Sequence, residues 1–518
     1  MGAPPSDREE AWQALRRGCD VLVIGGGITG AGVALDAALR GYSVALVDRA
    51  DFASGTSSRS TKLVHGGLRY LPQLQVGLVR EALVERERLR RLAPDLVRPL
   101  SFLVPLYRRT RRPLGLDLPA PLRPLAPLGV ELGLRAYDWL SGTDLRHRRL
   151  SAAEARSHLP TLRLEGLRTA FLYGDAQTDD AALTYAVLEA ARRSGAITLN
   201  YAEVTAIAAS PPEAVVVDRA GETAGPPRAV RMPVRHIVNA AGVWAAEVAA
   251  LAGPPPFRIE RSKGVHLVLD AGELLRDTAL VIPETDDGRL AFAVPWRGRI
   301  LLGTTDDVWT APDVRPQARE ARYLLDHLNR YLVQPIGREA VIAGYAGLRP
   351  LVRRGTARTA ALSRSHEVVE HPGPLVSVIG GKLTTYRRMA EDTVDVLVRR
   401  DGRRAACATA SHPLPVSAAA DRLAAAEPAL AAPLAPGITA RPADVIAAVR
   451  EAQCLRLADF MFHRSAIGVL DRDHGAGCVE RVAALMAREL GWTEERTALE
   501  IEAYRRRVAA EMAFLEEL

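Results

Sequence analysis

Asp20-Val21-Leu22-Val23-Ile24-Gly25-Gly26-Gly27-Ile28-Thr29-Gly30 decides the fold. The apolar run Val21–Ile24 has the character of a buried parallel strand. Three glycines follow at once, and then a small-residue stretch of helical spacing (Val33, Ala34, Ala37, Ala38) that ends at Arg40-Gly41. A second apolar run, Ser43-Val-Ala-Leu-Val, delivers Asp48. Strand, GxGxxG turn, helix, strand and terminal acid together predict a dinucleotide site. Gly25 permits the tight turn, Gly27 lets the backbone approach a pyrophosphate, and Gly30 allows close helix–strand packing. The unpaired N–H groups of the helix start face the phosphates. Asp48 is the expected acceptor for the ribose hydroxyls.

Two distant segments extend this unit. Val234-Arg-His-Ile-Val-Asn-Ala-Ala-Gly-Val-Trp predicts a strand and a small-residue turn, and Leu375-Val-Ser-Val-Ile-Gly-Gly-Lys-Leu-Thr-Thr-Tyr-Arg a strand, a glycine turn and a helix start. One nucleotide domain is therefore built from separated pieces, and the intervals between them supply a substrate domain. At this point the dinucleotide is either FAD or NAD.

The chain has 518 residues, enough for two or three domains. Its 48% hydrophobic and 25% charged content is that of a globular protein. No apolar run is long enough for a transmembrane helix, and the polar start lacks a signal-peptide core. The four cysteines (Cys19, Cys407, Cys454, Cys478) show no CxxC spacing. That spacing argues against a zinc site or a disulfide scaffold and suits a reducing cytoplasm. A net charge of +7 permits an acidic partner: phosphate, nucleic acid or anionic lipid. Missing aromatic–basic clusters argue against nucleic acid.

Of the 68 lysines and arginines only Lys62, Lys263 and Lys382 are lysines, and each lies in a motif. Lysine differs from arginine in being a compact point charge with a tunable pKa. The expectation is that the three segments converge on one anionic site. The polar run Ser54-Gly-Thr-Ser-Ser-Arg-Ser-Thr suits a loop around a pyrophosphate or ribityl chain. His65 and His266 are the candidate bases, because imidazole titrates near neutrality. His266, after Lys263-Gly264 on a strand of the substrate domain, is slightly preferred. Thr304 and Thr305 are expected to shape the pocket.

The chain resembles FAD-dependent glycerol-3-phosphate dehydrogenase, within the flavoproteins of the D-amino-acid-oxidase type. The resemblance rests on IGGGITGAGVALDAALRG (24–41) and GGKLTTYRRMA (380–390). FASGTSSRSTKLVHGGLRYL, GDAQTDDA, SKGVH, FAVPW, LLGTTD and AGLRPL lie between them in order. Thr29 stands where asparagine is more usual. The resemblance implies FAD as cofactor and sn-glycerol 3-phosphate, oxidised to dihydroxyacetone phosphate, as substrate. Electrons then pass to membrane quinone. The absence of a long insertion between Gly347 and Gly380 tilts the reading away from oxygen-reducing relatives. The alternatives are an oxygen-reducing glycerol-3-phosphate oxidase, or an amino-acid or 2-hydroxyacid oxidase of the same fold.

The implied fold is α/β. It comprises a Rossmann-like FAD-binding domain from discontinuous segments (18–95, 170–250, 342–400), a β-sheet substrate domain (96–169, 251–341) and an all-α C-terminal domain (405–518). The implied catalytic set is His266, His65, Lys382 and Arg349, with Arg69, Tyr70, Arg349 and Arg364 on the substrate phosphate. The expected FAD contacts are Gly25, Gly26, Gly27, Thr29, Gly30, Asp48, Ser54, Thr56, Ser57, Ser58, Lys62, Gly66, Gly67, Ala240, Gly242, Gly381, Lys382, Leu383 and Thr384. No metal is expected.

Residues 103–140 mix leucine, proline and arginine. Proline density argues against one long helix. Exposed leucines beside Arg108, Arg109, Arg111 and Arg112 suit an anionic membrane surface, and the resemblance implies a protein peripheral on the inner face of the cytoplasmic membrane, which agrees. The alternative is a Pro-punctuated domain connection. Cys478–Leu490 has amphipathic spacing, and Thr493 is positioned to cap a last helix. Packing or a homodimer contact is the expected role of that part.

Overall fold

The computed structural model describes residues 8–518 apart from 72, 116–118, 143–144, 222–226, 312 and 354–365. The lead strand Cys19–Ile24 sits inside a parallel sheet, between Ala229–Asn239 and Val44–Val47. Leu375–Gly380 continues the sheet on one side and Ile197–Leu199 on the other. Strands far apart in the chain thus form one parallel sheet, as the three glycine-flanked segments predict. Val21, Leu22 and Val23 are fully buried, since both faces of the sheet are covered. Helices Ile28–Leu39, Asp180–Arg193 and Tyr386–Arg400 pack on one face. Helix Arg8–Arg16 and the antiparallel pair Ala202–Ala209 and Pro212–Asp218 pack on the other.

A second, ten-stranded mixed sheet forms the substrate side. Its longest pairings join Arg258–Leu269 to Val341–Arg353 and Val97–Tyr107 to Leu167–Thr178. This corrects two expected boundaries. Leu167–Thr178 and Val341–Arg353 belong to this sheet rather than to the parallel one, because each apolar run pairs continuously along its length. The short strand Leu63–Val64 also joins it, against Ala176 and Gln177. The stretch after Ser54 therefore passes from one sheet to the other.

The C-terminal part is helical, with Pro442–Ala452, Val479–Leu490 and Glu494–Met512 around Val445, Met461, Val482 and Met486. Thr493 caps the last helix by accepting the Arg496 N–H at 3.1 Å. All four cysteines are free thiols.

The Leu/Pro/Arg segment differs from expectation. Leu103, Val104 and Leu106 lie inside the buried strand, so they are not surface leucines. Ala126–Ser141 is a 16-residue helix, because Pro127 falls in its first turn, where no N–H is needed. Among the described residues of the segment, the exposed large apolar side chains are Leu122, Leu125, Leu128, Leu132 and Trp139, the last 82% exposed. The final four recur at spacings of three, four and seven residues and share one helix face.

Candidate active site

The glycine turn works by close approach. Gly25 has φ +112°, and a Cβ there would lie 2.6 Å from the carbonyl oxygen of Ala240. A Cβ on Gly30 would lie 1.8 Å from the carbonyl oxygen of Gly25. Helix Ile28–Leu39 can start against the strand only without those side chains. The Ile28 N–H donates to Ser57 Oγ at 3.0 Å, which fastens the polar loop to the helix start. Thr56 donates to the Leu348 carbonyl at 2.6 Å, tying the same loop to the second sheet. The Asp48 carboxylate accepts the N–H groups of Gly26 (2.6 Å) and Ala50 (2.9 Å). Burial pushes it up to about 6.

These parts enclose a cavity of about 670 Å³. Gly25, Gly27, Thr29, Asp48, Ser54, Thr56, Ser57, Ala240, Gly242, Gly381, Lys382, Leu383 and Thr384 line it. Gly26 and Gly30 shape the turn without lining the cavity. Arg49 and Trp244, not foreseen, add a cation–π pair at 4.7 Å on its wall. Arg49 directly follows Asp48 and Trp244 ends the segment that begins at Val234, but neither residue type by itself signals a cofactor contact.

A second cavity of about 700 Å³ adjoins the first. Thr61, Leu63, His65, Arg69, Tyr70 and Arg349 line both. The second cavity also takes Gly67, Asp175, Arg289, Thr304 and Asp306 into its wall. Asp175 sits in the GDAQTDDA motif and Thr61 ends the polar run, so both carry a sequence signal.

Charge concentrates at the junction. Arg69 Nη2 donates to Tyr70 Oη at 2.9 Å. Arg349 Nη2 donates to Thr304 Oγ1 (2.9 Å) and the Thr305 carbonyl (3.1 Å), while Nη1 faces Asp306 at 3.2 Å. Lys382 Nζ lies 4.0 Å from the centre of the Tyr70 ring. Burial, reinforced by Arg69, lowers Lys382 to about 7. His65 is lowered to about 3, mainly by burial and then by Lys382, Arg69 and Arg86. Its imidazole is therefore neutral at physiological pH.

Several expectations fail on position. His266 lines neither cavity. It is 2% exposed, stacks on Tyr345, and meets Thr61 Oγ1 through Nε2 at 2.8 Å. The three lysines do not converge. Lys62 is buried against Asp180 and donates to the Ser58 carbonyl at 2.8 Å, away from the first cavity. Lys263 pairs with buried Glu320 at 2.9 Å and covers Trp309. Buried ammonium groups need a carboxylate, and these two found one in the protein. Ser58 turns toward the Lys62 side. Gly66 donates its N–H to Tyr137 Oη (3.0 Å) and Asp175 (3.2 Å) instead of lining the first cavity, and Gly67 lines the second cavity. Arg364 lies outside the described residues.

The family described as DAO, FAD dependent oxidoreductase, matches residues 20–387. The chain belongs to the FAD-dependent oxidoreductases. Residues 416–497 of this flavoprotein match the C-terminal domain of alpha-glycerophosphate oxidase. Glycerol-3-phosphate dehydrogenase 2 of Mycobacterium bovis is 36% identical, over 98% of this chain and 91% of its own length. Glycerol-3-phosphate dehydrogenase 1 of the same organism is 39% identical, over 90% and 93%. The crystal structure of a glycerol-3-phosphate dehydrogenase from Bacillus halodurans, complexed with FAD, aligns over 97% of both chains with a TM-score of 0.75 at 26% identity.

The residues of this flavoprotein fit FAD. The first cavity joins a helix start and a side-chain-free turn, where a pyrophosphate packs, to a far end at Gly381–Thr384. Lys382 Nζ is buried there and has no hydrogen-bond acceptor among the described residues. An unpartnered buried cation is costly unless a ligand supplies its acceptor.

Proposed function

We propose that this flavoprotein oxidises sn-glycerol 3-phosphate to dihydroxyacetone phosphate and passes the electrons to membrane quinone. The observation that carries the reading is the shared wall of the two cavities. Arg69, Arg349, His65 and Tyr70 border both the FAD side and the substrate side. A phosphorylated alcohol needs cations at one end and a base at the other.

In this reading Arg69 and Arg349 hold the phosphate, since a guanidinium donates in parallel to two phosphate oxygens. Thr304, Thr305 and Asp306 fix the Arg349 fork, and Tyr70 Oη steadies Arg69. Bound FAD supplies the hydride acceptor. His65 accepts the C2 hydroxyl proton: it faces both cavities, whereas His266 stands behind Thr61. Lys382 stabilises negative charge that develops beside it.

The membrane part of the reading draws on the helix Ala126–Ser141. Leu125, Leu128, Leu132 and Trp139 form its exposed stripe, and Arg123 and Arg135 are exposed nearby. That pattern suits a helix lying in a lipid interface, with arginines meeting anionic headgroups. No helix among the described residues is long and apolar enough to cross a membrane. In this reading the protein is peripheral, on the inner face of the cytoplasmic membrane.

Anaerobic bleaching of the flavin tests the substrate. Glycerol 3-phosphate should bleach it, while glycerol, lactate and amino acids should not. Equal bleaching by unphosphorylated glycerol would remove the phosphate clamp. Reoxidation by a quinone analogue in liposomes, faster than by oxygen, tests the acceptor.

A further inference from the structure

The segment Asp48–Ser54 leaves the second parallel strand and forms one wall of the FAD cavity through Asp48, Arg49, Ala50, Ala53 and Ser54. Asp51 does not join that wall. It is 2% exposed, and its carboxylate collects five hydrogen bonds. Arg464 donates twice, at 2.8 and 3.0 Å. His463 Nδ1 lies at 2.8 Å, Tyr185 Oη at 3.1 Å and Asn200 Nδ2 at 3.1 Å.

Arg464 and His463 belong to the C-terminal helical domain, on the π-helical segment Asp459–Arg464. The same segment reaches the wall a second way. Asp459 accepts the Tyr201 hydroxyl at 2.7 Å, and the Tyr201 N–H donates to the Ala50 carbonyl at 3.0 Å. The wall is tied in turn to the glycine turn, because the Ala53 N–H donates to the Gly26 carbonyl at 3.1 Å.

Asp51, Asp459 and His463 are close enough together to hold a metal ion. A guanidinium already stands there: the Arg464 fork covers both Asp51 oxygens and stacks over Tyr185 at 3.8 Å. The cluster is an ion-pair junction between domains. A buried carboxylate is tolerated only while its cation stays in place. If Arg464 withdraws, Asp51 must reach water, and the short segment on either side of it must move as well.

We propose that Arg464 and His463 are positioning residues for FAD: acting through Asp51, they hold Asp48–Ser54 in the shape that closes the cofactor wall, so that docking of the C-terminal domain sets FAD affinity. This rests on FAD as the family's cofactor and is independent of the substrate.

The test uses the full-length protein, stripped of flavin and titrated with FAD. Arg464→Met should raise the FAD Kd tenfold or more with native far-UV circular dichroism, and Arg464→Lys should raise it less. Asp51→Asn combined with Arg464→Met removes both charges and should bring the Kd back to within threefold of wild type. A Kd for Arg464→Met within twofold of wild type, in folded protein, would overturn the proposal. So would a double variant as weak as the single one, since the uncompensated Asp51 charge would then not be what opens the wall. Should Arg464→Met not fold, Arg464→Lys decides through hydrogen exchange. Faster exchange at both 459–464 and 48–54 supports the linkage, and faster exchange at 459–464 alone defeats it.

Discussion

The Lys382 ammonium lies 4.0 Å from the centre of the Tyr70 ring, with no hydrogen-bond acceptor among the described residues. The aromatic face offsets part of the cost of burying the charge, and the rest shows as the fall toward 7. In the unfolded chain the same lysine keeps its proton to about 10.5. Between these values the unfolded state binds more protons than the folded one, so this group makes the FAD-free chain more stable as pH rises from 7 toward 10. Lys382→Met should remove that rise. Denaturation midpoints of FAD-free wild type and variant at pH 7.5 and 9.5 check it; a parallel pH dependence in both would assign the effect to another group.

His65 and His266 separate kinetically. A general base contributes roughly 10²–10⁴-fold. His65→Gln should lower kcat by at least about a hundredfold, with the KM for glycerol 3-phosphate changing little. His266→Gln should cost less, because that ring reaches the cavities only through Thr61. The reverse ranking in steady-state assays would return the role to His266.

Arg69 and Arg349 should act on the phosphate. A hydrogen bond to a charged group contributes about 1.5–3 kcal/mol, or roughly ten- to hundredfold in affinity. Arg69→Met should therefore lower kcat/KM for glycerol 3-phosphate by that factor and leave any slow turnover of glycerol untouched. An equal loss on both substrates would mean that Arg69 does not meet the phosphate.

Lys62 gives a stability prediction. It is buried against Asp180, which also accepts from Ser60 and from the Ala181 N–H. Lys62→Met leaves that carboxylate without its cation and should cost about 3–5 kcal/mol. Adding Asp180→Asn should recover much of the loss, as urea denaturation of the three variants would show. A mild effect of Lys62→Met coupled to a large loss of FAD affinity would restore Lys62 to the cofactor site.

The apolar helix stripe and the arginine cluster can be tested apart. Changing Leu128, Leu132 and Trp139 to Ser should abolish sedimentation with anionic liposomes while dye-linked activity persists. Changing Arg108, Arg109, Arg111 and Arg112 to Ser should weaken the same binding, and more so at low salt, because exposed charges are screened. Binding that survives both sets would direct attention to another face.

Much of the nucleotide half is legible along the chain. A glycine turn, an apolar run and a terminal acid are local constraints: they act within a few residues, where backbone sterics and side-chain periodicity operate. The same holds for the Thr493 cap and for the amphipathic helix Val479–Leu490. The lysines, by contrast, are marked by sequence but not sorted by it. Lys62, Lys263 and Lys382 look alike in their motifs, yet the first two are neutralised by Asp180 and Glu320 and the third meets no hydrogen-bond acceptor among the described residues. Which carboxylate meets which cation depends on chain crossings more than a hundred residues apart in the case of Lys62. Likewise His65 faces the cavities and His266 does not, and Arg464 finds Asp51 across 413 residues. Pairings of that range carry no periodic trace in the sequence. They are selected only when the sheets and the helical domain close around them and remove water from the charges.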